Sequence, residues 1–282
     1  MENLIEITHL CKQYGAFSLN DVSLTLPAGS IVGLIGENGA GKTTTLKALL
    51  GLIRPDSGQI SLMGMDAQRA GVQAHEQIGV VLDECCFHEH LTPIQLEHIL
   101  APLFPGWDHG YYASLLERFT LDSRKPVKAL SRGMKTKLSL ACALAHHPRL
   151  LILDEATSGL DPVVRSEMLD LFLEFIQDES RGILMSTHIT TDLERVADYI
   201  VLLQQGQVRL AEEKDRMLER FAVAQLRQGG ESVIRPEDRG PLRRHRWWQT
   251  AAPSAAPTPR SRSTAQVSTI SWYFTERGKP NP

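Results

Sequence analysis

Ile5-Glu6-Ile7 and Val22-Ser23-Leu24-Thr25-Leu26 alternate apolar and polar positions, the period of strands with one covered face. Ile31-Val32-Gly33-Leu34-Ile35 and Leu150-Leu151-Ile152-Leu153 are unbroken apolar runs, which suits strands covered on both faces. Further short strands are expected at Gln59–Met63, Ile78–Leu82, Ile183–Ser186, Ile200–Leu203 and Val208–Leu210. Lys42–Leu50 reads as a helix closed by Gly51 and Pro55. Residues 92–146 read as helical. Thr92-Pro93-Ile94-Gln95 offers a capping box with proline at the first helical position. Gly106 and Asp108 separate a second helix around Tyr111–Phe119, and Met134–Ala145 makes a third. Asp161-Pro162 opens a helix over Val163–Gln177, and Thr191 with Glu194 predicts another capping box before a short helix. Strands alternating with helices predict an α/β fold around a mainly parallel sheet, with the helical stretch inserted into it.

Candidate chemistry sits where these elements meet. Gly36-Glu37-Asn38-Gly39-Ala40-Gly41-Lys42-Thr43 matches G-x-x-x-x-G-K-S/T between an expected strand and an expected helix, the context the motif requires. Glycines let the backbone wrap a phosphate with its amides pointing inward, and the helix start adds partial positive charge. Lys42 can then reach the β- and γ-phosphates of a nucleotide, and the Thr43 hydroxyl can ligate Mg²⁺. The apolar run at 150–153 ends in Asp154-Glu155. A carboxylate at a strand end beside a phosphate loop is placed for Mg²⁺, and Glu155 for polarising an attacking water.

Taken with the rest, these residues resemble the ATP-binding subunits of ABC transporters. Leu130-Ser131-Arg132-Gly133-Met134-Lys135 is similar to the family's LSGGQ signature in variant form, with Lys135 lying 19 positions before Asp154. Ser158-Gly159-Leu160-Asp161 resembles the D-loop and Ser186-Thr187-His188 the switch-histidine loop. Tyr14 stands where the family stacks an aromatic ring on adenine. The likeness covers about residues 2–226, with every motif in family order.

The resemblance implies a P-loop NTPase core, an N-terminal antiparallel β subdomain and an inserted α-helical subdomain at about 84–146, within a cassette at 1–228. It further implies a head-to-tail dimer, homomeric or with another ATP-binding subunit, that sandwiches two ATP molecules. Each site would take Gly36–Thr44 (Thr44 included), Asp154, Glu155 and His188 from one chain, with Asp161 of the D-loop beside them. The other chain would supply Ser131 and Gly133. Separate transmembrane permease subunits would be the partners, at the cytoplasmic face of the cell membrane.

Two motifs depart from the family pattern. Asp83 stands where glutamine usually contacts Mg²⁺ and water, and a carboxylate there could still ligate the metal. Arg132 and Met134 alter the signature, while Ser131 and Gly133 remain. Both variants resemble a bacterial exporter subgroup with separate membrane subunits. Without this context Ser131 reads as a helix cap, His188 as a loop histidine and Tyr14 as an edge-strand aromatic.

Composition then narrows the partners. The net charge is −3. Residues 229–282 carry nine Lys/Arg against four Asp/Glu, which leaves the preceding 228 residues at −8. An acidic body without a coiled-coil insertion or a tandem cassette disfavours the alternative of a soluble ABC-type ATPase on DNA or ribosomes. Glu155 and His188 disfavour a nucleotide-gated module that does not hydrolyse. Residues 229–282 also hold seven of the 15 prolines and three of the four tryptophans. They read as a disordered basic tail: an extension without function, an arm touching membrane or partner, or the product of a reading-frame change. No stretch approaches 18 consecutive apolar residues, and the opening MENLIEITHL lacks a signal-peptide pattern. Cys11, Cys85, Cys86 and Cys142 form no C-x-x-C pair and are expected as small buried side chains in a reducing compartment.

Overall fold

The computed structural model describes residues 2–15, 17–67, 69 and 74–220. Two compact units divide the chain, Met1–Glu212 and Glu213–Pro282. The expected boundary after residue 228 and the basic tail lie outside the described residues.

Strands β1 (Asn3–Tyr14), β2 (Phe17–Pro27), β4 (Ser57–Leu62) and β5 (Met65–Asp66) form an antiparallel sheet in the order β2-β1-β4-β5. β1 and β2 are longer than their alternating stretches predict, because each absorbs a break in the alternation. Ile7 and Leu10 both face the core although they are three residues apart. The register shifts between them, and His9 takes the left-handed φ of +52° that re-aims the strand. Asp21 does the same between Leu19 and Val22, at φ +58°.

The second sheet has six strands in the order β10-β9-β3-β8-β7-β6. These are β3 (Ile31–Ile35), β6 (Ile78–Val81), β7 (Leu150–Asp154), β8 (Gly182–Thr187), β9 (Tyr199–Gln204) and β10 (Gln207–Glu213). Pairings β3–β8, β3–β9, β6–β7 and β7–β8 are all parallel, as the unbroken apolar runs require. Every residue of β3 and β7 is buried. One face packs on the antiparallel sheet: a Cβ on Gly182 would lie 2.7 Å from Leu4 Cδ1. The core between the sheets joins Leu10, Val22 and Leu26 to Val32, Leu184 and Val201, with Leu46 and Leu49 of helix α1 (Lys42–Leu49).

The helical stretch enters between the neighbouring strands β6 and β7. It comprises α2 (Pro93–Leu100), α3 (His109–Arg118) and α4 (Arg132–Leu144). The Thr92 box forms in both directions, the Gln95 amide to Thr92 Oγ1 and the Thr92 amide to Gln95 Oε1. Asp108 caps α3 and Ser131 caps α4. Arg118 grips Glu174 with both Nη atoms, at 2.6 and 2.7 Å, tying α3 to helix α5 (Pro162–Phe175).

Two expectations need correction. The short helix α6 (Thr190–Val196) begins two residues early behind Ile189, without a side-chain cap. Thr191 does not cap it, because its hydroxyl accepts from Arg165 Nη2 at 2.7 Å. Of the cysteines, Cys142 alone is fully buried, and burial pushes its thiol up to about 12. Cys11 and Cys85 are half-buried and Cys86 is exposed, since the loop after β6 does not enter the core. Among the described residues no helix is long and apolar enough to cross a membrane. Helix α7 (Lys214–Arg220) belongs to the second unit.

Candidate nucleotide site

Parallel pairing brings the C-terminal ends of three strands level. Ile35 of β3 faces Thr187 of β8, and Ser186 of β8 faces Asp154 of β7. Ligands of open α/β sheets bind at such strand ends. The Gly36–Gly41 loop leaves β3 here. Gly39 and Gly41 hold φ of +82° and +110°, and Gly41 caps α1. A Cβ on Gly41 would lie 2.5 Å from Leu19 Cδ2 and 2.9 Å from Phe17 Cζ, so the antiparallel sheet presses the loop into shape. Ala40 is buried, whereas Glu37, Asn38 and Gly39 form the exposed tip. Thr43 is exposed and Thr44 half-buried on the first turn of α1.

Lys42 is 5% exposed, and its ammonium turns back over the loop. Nζ donates to the Gly36 carbonyl at 2.7 Å and stands 3.2 Å from Glu155 Oε1, an ion-pair contact outside hydrogen-bond geometry. The other Glu155 oxygen, Oε2, lies 2.7 Å from His188 Nδ1. Glu155 itself has φ +50°, a left-handed conformation that a glutamate adopts only under constraint. The constraint is visible: the Glu155 amide donates to both the carbonyl and the hydroxyl of Ser186, each at 3.1 Å. The same hydroxyl donates to Asp154 Oδ1 at 2.5 Å. Ser186 therefore holds the Asp154 carboxylate and the Glu155 backbone. It stands within the quoted Ser186-Thr187-His188 motif, which marks its place in the sequence but not this task.

A buried network backs the two loops that follow. Asp192 is 1% exposed and accepts from Thr157 at 2.7 Å and from Arg165 Nε at 2.5 Å. This joins the turn after Glu155 to the helix after His188. A buried carboxylate needs such partners, yet nothing local in the sequence marks Asp192 as their acceptor. Asp161 caps α5, accepting from the Val163 and Val164 amides at 3.2 and 3.0 Å.

The remaining expected residues group elsewhere. Gly133 lies by the same turn, with a Cβ position 3.6 Å from Leu160 Cδ2. Asp83 accepts from Arg132 Nη2 at 2.9 Å. Among the described residues no hydrogen bond or ion pair joins Ser131 or Gly133 to Lys42, Glu155 or His188. Tyr14 is 49% exposed at the end of β1, with Lys12 Nζ 5.6 Å from its ring centroid.

Lys42 with the loop amides can cradle phosphates. Thr43 and Asp154 offer a hydroxyl and a carboxylate, hard oxygen donors that fit Mg²⁺. Among the described residues no group of three or more His, Cys, Asp or Glu could hold a metal.

Comparison with known proteins gives the same reading. The family model described as ABC transporter matches residues 19–158. The bacitracin transport ATP-binding protein BcrA of Enterococcus faecalis is 35% identical over 211 residues, 74% of this chain and 68% of that protein. The Nod factor export ATP-binding protein I of Burkholderia lata is 36% identical over 213 residues, 72% of this chain and 68% of that protein. A solved structure of an ATP-binding subunit of an ABC transporter superposes with a TM-score of 0.70 at 32% identity, over 77% of this chain and 92% of that one. The chain belongs to the ABC transporter family, as one of its ATP-hydrolysing ATP-binding proteins.

Proposed function

We propose that this chain energises an exporter of the ABC type, working as a head-to-tail dimer at the cytoplasmic face of the membrane on separate transmembrane subunits. The single observation that carries the catalytic part is the unbroken series Lys42–Glu155–His188, at 3.2 and 2.7 Å, across the ends of β3, β7 and β8. The relative named for Nod factor export supports the direction. The cassette is assigned to residues 1–228.

In this reading Tyr14 stacks on adenine and the amides of Gly36–Thr44 surround the phosphates. Lys42 faces the β- and γ-phosphates. Thr43 and Asp154 hold Mg²⁺, which neutralises charge on the phosphate oxygens when bound. Glu155 accepts a proton from a water as its oxygen attacks the γ-phosphorus. The bond from that phosphorus to the β–γ bridging oxygen breaks, leaving ADP and phosphate. His188 holds Oε2 of Glu155, so Oε1 is the oxygen available for the water once phosphate draws Lys42 away. Ser131 and Gly133 of the other chain complete the site. There the start of α4 offers free amides and a dipole to the γ-phosphate. Hydrolysis removes the charge that joins the chains, so ATP acts as a switch on association.

The test is steady-state ATPase activity of wild type and Glu155→Gln. The amide keeps the shape but cannot take the proton. Turnover should fall about 10²- to 10⁴-fold, the range for loss of a general base, with ATP still bound. Wild-type turnover in the variant would remove Glu155 from the chemistry.

A further inference from the structure

Two of the positions that depart from the family pattern, Asp83 and Arg132, are 49 residues apart in sequence and touch in the fold. Arg132 Nη2 donates to Asp83 Oδ1 at 2.9 Å. The same guanidinium lies on the turn that follows Glu155: a Cβ on Gly159 would sit 3.0 Å from Nη1 and 3.3 Å from Cζ. That turn bends at Gly159, φ +67°, and is pinned by the Ser158 amide on the Glu155 carbonyl. Asp83 follows β6, whose parallel neighbour β7 ends at Asp154. Arg132 is the first residue of α4, directly after its cap Ser131. One cation thus meets the segment after β6, the turn after Glu155 and the start of the helix that carries Ser131 and Gly133.

We propose that Asp83 and Arg132 are a positioning pair for ATP hydrolysis: their ion pair holds the Ser131–Gly133 turn and the Gly159 turn in register with Glu155. The inference rests on the two-chain site proposed above. Both side chains are about half exposed, 49% for Asp83 and 58% for Arg132, and exposed ion pairs contribute little to folding. What the pair supplies is orientation and charge balance. Asp83 alone would place a negative charge beside a triphosphate, and Arg132 alone would leave a free cation at the start of α4. Together they are neutral, so each departure compensates the other. In this arrangement the Asp83 carboxylate serves Arg132 and not the metal.

The experiment uses the full chain in five forms: wild type, Asp83→Ala, Arg132→Ala, the double alanine variant, and the exchanged Asp83→Arg/Arg132→Asp protein. The readouts are kcat, KM for ATP, the Mg²⁺ concentration giving half activity, and the melting temperature. Each single alanine variant should lose about tenfold in kcat with KM within about threefold, and the double variant should be no worse than the poorer single. The exchanged protein should recover most of the loss, and all five should melt within a few degrees of one another. Losses that multiply in the double variant would overturn the pair, as would an exchanged protein no better than the singles. A raised Mg²⁺ requirement in Asp83→Ala alone would overturn it too, by assigning Asp83 to the metal. A wild-type chain without ATPase activity would take down the reading of the site, and this proposal with it.

Discussion

Lys42 is held by the protein's own groups: it donates to the Gly36 and Glu37 carbonyls and forms an ion pair with the Glu155 carboxylate. A bound triphosphate competes with all three. Removing the ammonium removes a charge-assisted contact in a buried setting, worth about 1.5–3 kcal/mol or about 10- to 150-fold in affinity. Lys42→Ala should show that loss by calorimetry, and unchanged affinity would remove Lys42 from the phosphate site. At this scale Lys42, Glu155 and His188 were legible because fixed local spacing marks them. Ser186, Asp192 and the Asp83–Arg132 pair were not. Their partners lie 27 to 49 residues away in sequence, and pairing across such distances leaves no local pattern. Asp83 and Arg132 were each visible as departures from the family, but their pairing was not.

Among elements, the helix starts with a polar side chain at the cap were readable, and the strand irregularities were not. Thr92, Ser131 and Asp161 each cap the helix that the sequence places after them. Thr191 shows the limit, since its hydroxyl bonds Arg165 and the helix starts without it. The bulges at His9 and Asp21 depend on two strands agreeing to break register together, and there His9 Nδ1 meets Asp21 Oδ1 at 2.5 Å. Asp161 gives a test at this level because it serves two backbone amides. Asp161→Ala should cost about 1 kcal/mol of stability, a fall of about 2–4 °C in a domain of this size by calorimetric melting. Asp161→Asn should restore most of it, since asparagine caps comparably well. An unchanged melting temperature in the alanine variant would mean that the cap contributes nothing to α5.

Over the whole molecule, the antiparallel sheet shapes the phosphate loop through Leu19 and Phe17. The parallel sheet aligns three strand ends, and the inserted helices carry Ser131 and Gly133 on a separate surface. The α/β class and the insertion were legible from the alternation of strands and helices. The sheet order was not, because β6 and β7 are neighbours with the whole insertion between them. Among the described residues no hydrogen bond or ion pair joins Ser131 or Gly133 to Lys42, Glu155 or His188, and the proposed site draws those two from a second chain. Light scattering of Glu155→Gln over a range of protein concentrations, with and without ATP and Mg²⁺, measures this. Association must follow mass action. The sandwich reading predicts monomer without nucleotide and a dimer that accumulates with ATP and Mg²⁺ as concentration rises. A variant that binds ATP by calorimetry yet stays monomeric at every concentration would contradict it.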